Sequence, residues 1–307
     1  SIRCFVLYNS FNSLGWLTDC NKKILKNCDI FFGDIRDFNS VKNAMKGVDA
    51  VIHLAALIGI PYSYNSPESY VDTNIKGTLN LLNASRDSNI NKFIHTSTSE
   101  VFGSAIYTPM DEQHPINCQS PYAASKASAD NLAMSYHKSF KLPLTIIRPF
   151  NTFGPRQSLR AVIPTIISQT LFNKGKIKLG NVKTKRDYTY VKDTVNAFKL
   201  ALKNKKVIGE TFNVGNNFEI SINDIVKSVE KITNIKTQII RDPSRVRPAS
   251  SEVNRLKCSN KKIKKILNWK IRLERKKGFE FGLKNTIEWV RNNKEKFLKD
   301  KIKNYII

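Results

Sequence analysis

The stretch FIHTSTSEVFG, Phe93 to Gly103, is an apolar run that ends in hydroxyl and carboxylate side chains. It belongs to a series of short apolar runs that predict strands, at 2–8, 28–34, 49–56, 92–98 and 142–150. Helical patterns separate these runs, at 37–47, 66–87 and 120–140. Strands that are apolar throughout and alternate with helices are typical of βαβ units. We therefore predict an α/β fold with a doubly wound parallel sheet covered on both faces.

The pattern after residue 150 is less regular. Helices are predicted at 162–172, 191–203, 221–234, 259–267 and 278–297, and strands at 187–191 and 210–215. Proline and glycine near 149–164 and 243–248 mark loops where a second unit can branch off. We predict one domain of residues 1–150 plus about 187–215, and a smaller C-terminal lobe of residues 151–186 and 216–307.

The chain of 307 residues has a formal net charge of +26, which raises a nucleic-acid or membrane-surface role as a rival hypothesis. The lysines at 261–277 and 293–303, however, interleave with apolar residues at helical spacing. That spacing favours the solvated faces of amphipathic helices. No zinc-finger or RNA-binding aromatic signature accompanies the charge, and an anionic small molecule would be attracted equally well. We expect no nucleic-acid partner.

The sequence indicates neither a membrane-spanning segment nor a metal site. No apolar run reaches the ~18 residues that span a bilayer, so we expect a soluble cytoplasmic protein without a membrane partner. The five cysteines, Cys4, Cys20, Cys28, Cys118 and Cys258, are scattered without a CxxC spacing. With four histidines in all, this favours reduced core thiols and no metal site.

Polar side chains follow the predicted strands where each strand ends. In open parallel sheets, ligands bind outside the carboxyl ends of strands. The stretches GDIRD (33–37), HLAA (53–56), TSTSE (96–100) and RPFN (148–151) should therefore line one edge. Ala55 and Ala56 are small enough to let a flat cofactor approach the backbone, although close packing of a helix on the sheet explains them equally well.

Tyr122 and Lys126 form a Y-x-x-x-K pair that a helix places on one face. An ammonium near a phenol stabilises the phenolate and makes the tyrosine a usable base. A second match, Tyr188 and Lys192, begins in a predicted strand, where this spacing does not bring side chains together. Thr98, at a strand tail, completes the set needed to deprotonate a secondary alcohol, although Thr98 alone fits a helix or turn cap equally well.

Several motifs together resemble the extended short-chain dehydrogenase/reductase family, the nucleotide-sugar epimerases and dehydratases. They are GDIRD, HLAA, NIKGTLNLL (74–82), STSEVFG (97–103), PYAASK (121–126), RPFNTFGPRQ (148–157) and RDYTYVKD (186–193). The motifs run in family order over most of the chain. The resemblance implies a Rossmann-like sheet as the dinucleotide-binding domain and a smaller lobe that binds the nucleotide sugar.

The same resemblance implies roles for individual residues. Tyr122 matches the catalytic base, Lys126 the lysine that binds the cofactor ribose, and Thr98 their hydroxyl partner. The implied cofactor contacts are Asp34, Ile35, Leu54, Ala55, Ala56 and Pro149, with Tyr122 and Lys126. The implied substrate contacts are Asn74, Asn151, Arg156, Arg186 and Arg247. The implied cofactor is NAD, and the sequence does not separate it from NADP.

Glu100 decides between reactions within the resembled family. The 4,6-dehydratases carry an acid there to remove the C5 proton once C4 is a ketone, whereas the 4-epimerases usually carry a small residue. Ser99 stands where glucose dehydratases typically show aspartate, so either Ser99 protonates the leaving hydroxyl or Glu100 does both jobs. The resemblance is to dehydratases of legionaminic-acid-type pathways, which act on nucleotide-linked N-acetylglucosamine. The alternatives are a 4-epimerase, a UDP-glucuronate decarboxylase, and a non-catalytic anion- or nucleic-acid-binding protein built on a degenerate dinucleotide fold.

One departure concerns the start of the chain. The resembled family opens with a strand and G-x-x-G-x-x-G, whereas only Gly15 and Gly33 occur among the first 33 residues. Tyr8, Asn9 and Ser10 follow IRCFVLY where an acidic residue would hold ribose hydroxyls. We expect the first strand and helix of the family fold to be missing from this sequence, and weak dinucleotide binding by the chain as written. We also expect a homodimer, with contacts through the helices at 66–87 and 120–140.

Overall fold

The structure is a computed structural model that describes residues 1–298. The strands are β1 Ile2–Leu7, β2 Cys28–Gly33, β3 Ala50–His53, β4 Lys92–Thr96, β5 Leu144–Pro149, β6 Asn151–Phe153, β7 Lys176–Leu179, β8 Lys185–Tyr190, β9 Thr211–Val214, β10 Glu219–Ser221 and β11 Gln238–Arg241. The helices are α1 Lys22–Lys26, α2 Phe38–Ala44, α3 Ile60–Asn65, α4 Pro67–Tyr70, α5 Gly77–Asp87, α6 Pro121–Phe140, α7 Val162–Phe172, α8 Val191–Lys203, α9 Ile222–Thr233, α10 Lys261–Leu267, α11 Arg275–Asn292 and α12 Glu295–Leu298.

Parallel strands form the centre of the molecule, which confirms the predicted α/β class. A four-stranded sheet runs in the order β3-β4-β5-β9, and every neighbouring pair in it is parallel. β1 and β2 form a separate parallel pair. The carboxyl ends of β3, β4 and β5 therefore lie side by side, as expected for HLAA, TSTSE and RPFN.

Both faces of the four-stranded sheet are buried, because successive side chains of a strand point to opposite faces. Phe93 of β4 packs with Leu82 of α5 and Ala133 of α6. The next residue, Ile94, packs on the other face with Ala197 of α8 and Trp269. This two-sided burial explains why the strands are apolar without alternation.

A second hydrophobic core lies among β6, β8, α7, α9 and α11. It contains Phe153, Ile166, Ile225 and Leu283, all at most 1% exposed. The organisation into two units remains a proposal, and the packing favours boundaries different from those that we predict from the sequence. Residues 188 and 190, expected in the first domain, pack in the second core, whereas α10, expected in the lobe, packs on the four-stranded sheet.

The predicted long helix at 66–87 is interrupted. It consists of α4, a π-helical segment at Val71–Lys76, and α5. Asn74 inside this segment hydrogen-bonds the backbone N–H and carbonyl of Leu57, at 2.8 and 2.9 Å. The irregular turn thus holds the loop after β3, a tertiary contact that helical periodicity does not reveal.

Short elements were missed by the sequence patterns. They are β6, β7, β10 and β11, together with α1 and α3. Strands of three or four residues carry too few side chains for a periodic signal. Among the lysine-rich segments, α10 buries Ile263 and Leu267 and exposes Lys261, as predicted, while residues 299–303 of the second segment lie outside the described part.

The described residues contain no helix that is both long and apolar enough to cross a bilayer. Within residues 1–298, no three histidine, cysteine or acidic side chains are grouped to hold a metal ion. The expectation of core thiols holds only for Cys258, which is buried, because the other four cysteines are partly exposed.

Candidate active site

The chain turns sharply after β4 and places three polar residues at the sheet edge. Thr98 caps a short 3-10 helix, Ser99–Phe102, by accepting a hydrogen bond from the N–H of Glu100 at 3.3 Å. Gly103 ends it with φ +63°, and an added Cβ would lie 2.2 Å from the carbonyl oxygen of Asn117. Glycine at this position therefore permits the turn that holds Glu100 beside the strand end.

Helix α6 carries the tyrosine and lysine. It begins at Pro121 after the cap Ser120, whose hydroxyl accepts from the N–H of Ala123 at 3.1 Å. Tyr122 and Lys126 lie one turn apart and are 7% and 3% exposed. The hydroxyl of Thr98 hydrogen-bonds Tyr122, so the strand tail and the helix face meet as predicted.

The protonation of this pair differs from the expectation that the ammonium makes the phenol acidic. Burial raises the pKa of Tyr122, and only the hydrogen bond from Thr98 counteracts it. Burial also lowers the pKa of Lys126, against the attraction of Asp130. The expected ammonium effect was wrong for this structure, because removal of water from the phenol outweighs the neighbouring positive charge.

A cavity of about 550 Å³ opens beside these residues, between the sheet edge and the second core. The sequence-predicted residues that line it are Thr98, Ser99, Glu100, Tyr122, Pro149, Asn151, Arg186 and Arg247. Tyr122 and Glu100 thus open into one cavity. Within it, polar groups of the sheet edge lie together with Arg186 and Arg247.

Glu100 is held loosely. Its Oε1 atom lies 3.9 Å from Nε of Arg186, too far for a hydrogen bond. Glu252 competes for the same arginine at 3.6 Å and lies 3.9 Å from Nη1 of Arg247. The carboxylate of Glu100 therefore keeps an accessible side toward the cavity.

Sequence reasoning missed Glu252, Arg160 and Gln157 in the cavity wall. Glu252 follows Arg247 by five residues and belongs to no motif. Gln157 is the last residue of the motif RPFNTFGPRQ, in which Arg156 was the predicted contact, and Arg160 lies three residues beyond it. Two oxygens buried at this wall, Oδ1 of Asn151 and Oε1 of Gln157, lack a hydrogen-bond partner within the described residues. Unpaired acceptors of this kind suit a ligand that donates hydroxyl or amide N–H groups.

Two predicted substrate contacts lie elsewhere. Arg156 is exposed, and its Nη2 atom approaches the carbonyl oxygen of Asp19 at 3.4 Å. Asn74 is buried and hydrogen-bonds the backbone of Leu57 and, at 2.9 Å, the hydroxyl of Ser125. Asn74 therefore holds the loop behind Tyr122, and neither residue lines the cavity.

The predicted cofactor contacts lie at the strand ends. Leu54, after β3, is 64% exposed, and the small Ala55 and Ala56 follow it, so this edge presents a low apolar surface. Asp34 accepts two hydrogen bonds through Oδ1, at 2.9 Å from the N–H of Arg36 and 3.0 Å from its guanidinium, while Ile35 is buried. A low apolar edge of this kind fits the flat ring of a dinucleotide.

Comparison with known proteins places the chain in a family. The family model described as GDP-mannose 4,6 dehydratase matches residues 4–281. A dTDP-D-glucose 4,6-dehydratase of Dictyostelium discoideum is 36% identical over 239 residues, which are 73% of this chain and 54% of that protein. The chain thus spans about half the length of that relative.

Solved structures share the fold. The dTDP-glucose 4,6-dehydratase of Streptomyces venezuelae, with NAD and TYD bound, has a TM-score of 0.80 and 27% identity, covering 90% of this chain and 85% of that one. The UDP-glucuronic acid 4-epimerase of Bacillus cereus, with UDP-glucuronic acid and NAD, has a TM-score of 0.80 and 28% identity, covering 90% and 84%. This chain belongs to the GDP-mannose 4,6-dehydratase family, within the NAD-dependent extended short-chain dehydrogenases/reductases.

Proposed function

We propose that this protein is a nucleotide-sugar 4,6-dehydratase of the cytoplasm that acts on a nucleotide-linked N-acetylglucosamine. The observation that supports it most directly is that Tyr122 and Glu100 open into one cavity. A 4,6-dehydratase needs a group at C4 that takes a hydroxyl proton and a second group that removes the C5 proton. Bound NAD (or NADP) would supply the hydride acceptor for C4 and the donor for C6.

Tyr122 is the group proposed for C4. The hydroxyl of Thr98 donates to the tyrosine oxygen, which stabilises the phenolate, and Glu100 N–H in turn donates to Thr98. Burial raises the pKa of Tyr122, so the phenol stays largely protonated near neutral pH. The fraction of phenolate therefore still increases as the pH becomes alkaline. We therefore expect the oxidation at C4 to become faster as the pH rises.

Glu100 is the base proposed for the C5 proton. Its contact with Arg186 is an ion pair at 3.9 Å without a hydrogen bond, which leaves lone pairs of the carboxylate available. Ser99, 2% exposed and also in the cavity wall, can protonate the leaving C6 hydroxyl, or Glu100 can do so with the proton it has taken.

The charges of the cavity suit a nucleoside diphosphate. Arg160, Arg186, Arg245 and Arg247 line it, against the two carboxylates of Glu100 and Glu252. The excess of guanidinium groups matches a diphosphate, which guanidinium binds by paired hydrogen bonds. The unpaired oxygens of Asn151 and Gln157 offer acceptors to sugar hydroxyls or to the N–H of an acetamido group.

The alternative reactions share the first oxidation. A 4-epimerase is favoured by the likeness to the Bacillus cereus epimerase, and a uronate decarboxylase would lose carbon dioxide where the dehydratase loses water. A non-catalytic anion-binding protein would not need a buried tyrosine and lysine on a helix beside a threonine at a strand end. We also propose a homodimer through α5 and α6, which sedimentation velocity would refute by finding only monomer.

The test is product analysis with the full-length protein and excess NAD. UDP- and GDP-linked N-acetylglucosamine, dTDP-glucose and UDP-glucuronate are incubated in parallel and their products weighed by mass spectrometry. We expect a product lighter by one water from an N-acetylglucosamine substrate. Glu100→Gln should still oxidise C4, seen as reduced cofactor, but should release water at least about 100-fold more slowly.

The matched control is Glu112→Gln. Glu112 is a partly buried acid that accepts a hydrogen bond from the N–H of Asn213 at 2.8 Å, away from the cavity wall. We expect its substitution to leave the ratio of oxidation to water loss unchanged. A Glu100→Gln enzyme that dehydrates at a near-normal rate would remove Glu100 from the proposed role.

A further inference from the structure

The polar row on helix α6 continues beyond the tyrosine and lysine. Asp130 lies one further turn along the same face, four residues after Lys126, which lies four residues after Tyr122. The three residues are 7%, 3% and 4% exposed in chain order. A buried carboxylate thus stands one helical turn beyond Lys126, outside the set of residues that the proposed reaction uses.

Three residues hold the carboxylate of Asp130: one from β4, one from β5 and one directly after β4. The Ser97 hydroxyl donates to Oδ2 at 2.5 Å, and Nη2 of Arg148 donates to the same oxygen at 3.1 Å. Nε2 of His95 lies 3.1 Å from Oδ1. Because burial lowers the pKa of His95, its ring is neutral and the bond to Asp130 is a donated N–H. The helix is therefore clamped to β4 and β5 at one charged group.

These contacts keep Asp130 ionised. Its pKa is lowered to about 2, because the bond from His95 and the charge of Arg148 outweigh burial. The resulting negative charge favours the ammonium of Lys126 and disfavours the phenolate of Tyr122. Both effects act in one direction, toward the protonated form of each side chain.

We propose that Asp130 is a positioning residue of the oxidation site, whose fixed negative charge sets the protonation of Tyr122 and Lys126. The inference rests on the proposed function, because it takes these two residues as the pair that acts at C4. Asp130 does not line the cavity, so its effect must pass through the pair.

Other titratable groups also face this row. They are His53 from β3, His95 from β4, Arg148 from β5, Tyr70 from α4, Glu100 from the 3-10 helix and Cys118 from the loop before α6. Burial lowers the pKa of both histidines, so they are neutral near pH 7. Arg148 is already paired with Asp130. Asp130 is thus the negative charge that acts on Lys126 from within its own helix.

The experiment measures C4 oxidation, as reduced cofactor, against pH in Asp130→Asn. Loss of the charge should let Tyr122 ionise at lower pH and let Lys126 lose its proton at lower pH. We therefore expect both limbs of the pH profile to move toward acid, with oxidation at the alkaline end reduced at least about tenfold. Direct NMR titration of the ¹⁵N-labelled Lys126 side chain, without cofactor, should show the same direction.

A purely structural clamp would give a different result. Asp193→Asn is the matched control, because Asp193 is 7% exposed, lies in α8 and accepts from the N–H of Arg272 at 3.1 Å, outside the cavity wall. It should lower thermal stability without moving either limb. If Asp130→Asn behaves like this control, with unmoved limbs and an unmoved lysine titration, the proposal fails.

The single variant leaves Arg148 buried without its partner and can fail to fold. The double variant Asp130→Asn/Arg148→Gln removes both charges, and the acid displacement of both limbs should persist in it. The readout also separates this inference from the proposed function. A protein that oxidises C4 without releasing water would contradict the dehydratase, whereas unmoved limbs would contradict only the role of Asp130.

Discussion

At the scale of single residues, the site depends on how burial changes ordinary acid–base chemistry. The spacing of Tyr122 and Lys126 is visible in the sequence, and so is the hydroxyl of Thr98 at a strand tail. Their protonation is not, because it depends on how much water the fold removes from each group. Burial raises the pKa of Tyr122 and lowers that of Lys126, so in the folded protein the lysine loses its proton at a lower pH than the tyrosine.

Replacement of Tyr122 by phenylalanine tests the proposed base. Tyr122→Phe removes one oxygen from a side chain that is 7% exposed and should keep the fold. We expect C4 oxidation to fall by at least about 100-fold, since the phenol is the group proposed to take the proton of the C4 hydroxyl. Stopped-flow measurement of reduced cofactor would show the loss.

Tyr190→Phe serves as the matched control. Tyr190 is 5% exposed and packs in the second core, beside the ring of Phe153. This substitution should change stability slightly and leave oxidation near its normal rate. Equal activity of the two variants would show that the Tyr122 phenol is not the base.

At the scale of elements, the site is built where a strand ends and where a helix begins. Ser120 is the cap of α6, and its hydroxyl takes the N–H of Ala123, next to the tyrosine. The π-helical segment at Val71–Lys76 supplies Asn74 to the loop after β3. The cap could be predicted from the sequence S-P-Y. The π-helical turn could not, because it is associated with the hydrogen bond between Asn74 and Leu57, which lie 17 residues apart in the chain.

Removal of the cap should weaken α6. Ser120→Ala loses one hydrogen bond at the helix start, so we expect the free energy of unfolding to fall by about 1 kcal/mol. Ser135→Ala, on the same helix, removes an exposed hydroxyl that bonds the carbonyl of Leu132, and should cost less than about 0.5 kcal/mol. Urea unfolding compares the two, and an equal cost would contradict the capping role.

At the scale of the whole molecule, buried ionisable groups link the fold to pH. His53, His95, Asp130 and Arg148 lie between the four-stranded sheet and its helices, all at most 5% exposed. Burial keeps both histidines neutral, whereas Asp130 stays ionised with its pKa lowered to about 2. The folded protein therefore resists taking up protons that the unfolded chain accepts.

We expect two losses of stability as the pH falls. Below about 6.5 the unfolded chain protonates its histidines while the folded protein does not, so unfolding becomes more favourable. Between the ordinary pKa of 3.8 and about 2, the stabilisation from ionised Asp130, roughly 2 kcal/mol, is lost as well. Urea unfolding across this range measures both losses.

Asp130→Asn separates the two windows. The variant should be less stable near pH 7 but should lack the steeper loss below about pH 4, because it has no carboxylate to protonate there. The loss of stability below about pH 6.5, which the two histidines cause, should remain in the Asp130→Asn variant. A variant with an unchanged slope below about pH 4 would show that other carboxylates cause that loss.

The α/β class, the parallel strands β3, β4 and β5, and the motifs that meet at their ends could all be predicted from the amino-acid sequence, because hydrophobic period and strand-tail chemistry are local properties. The choice of motif residues that share a cavity became visible in the folded molecule, where the cavity includes Arg186 and Arg247, omits Arg156 and Asn74, and adds Glu252. Burial in the folded molecule also makes Tyr122 less acidic than an exposed tyrosine. The physical reason is that burial and long-range contact depend on segments far apart in the chain, and these set the dielectric surroundings and neighbouring charges of every group at the site.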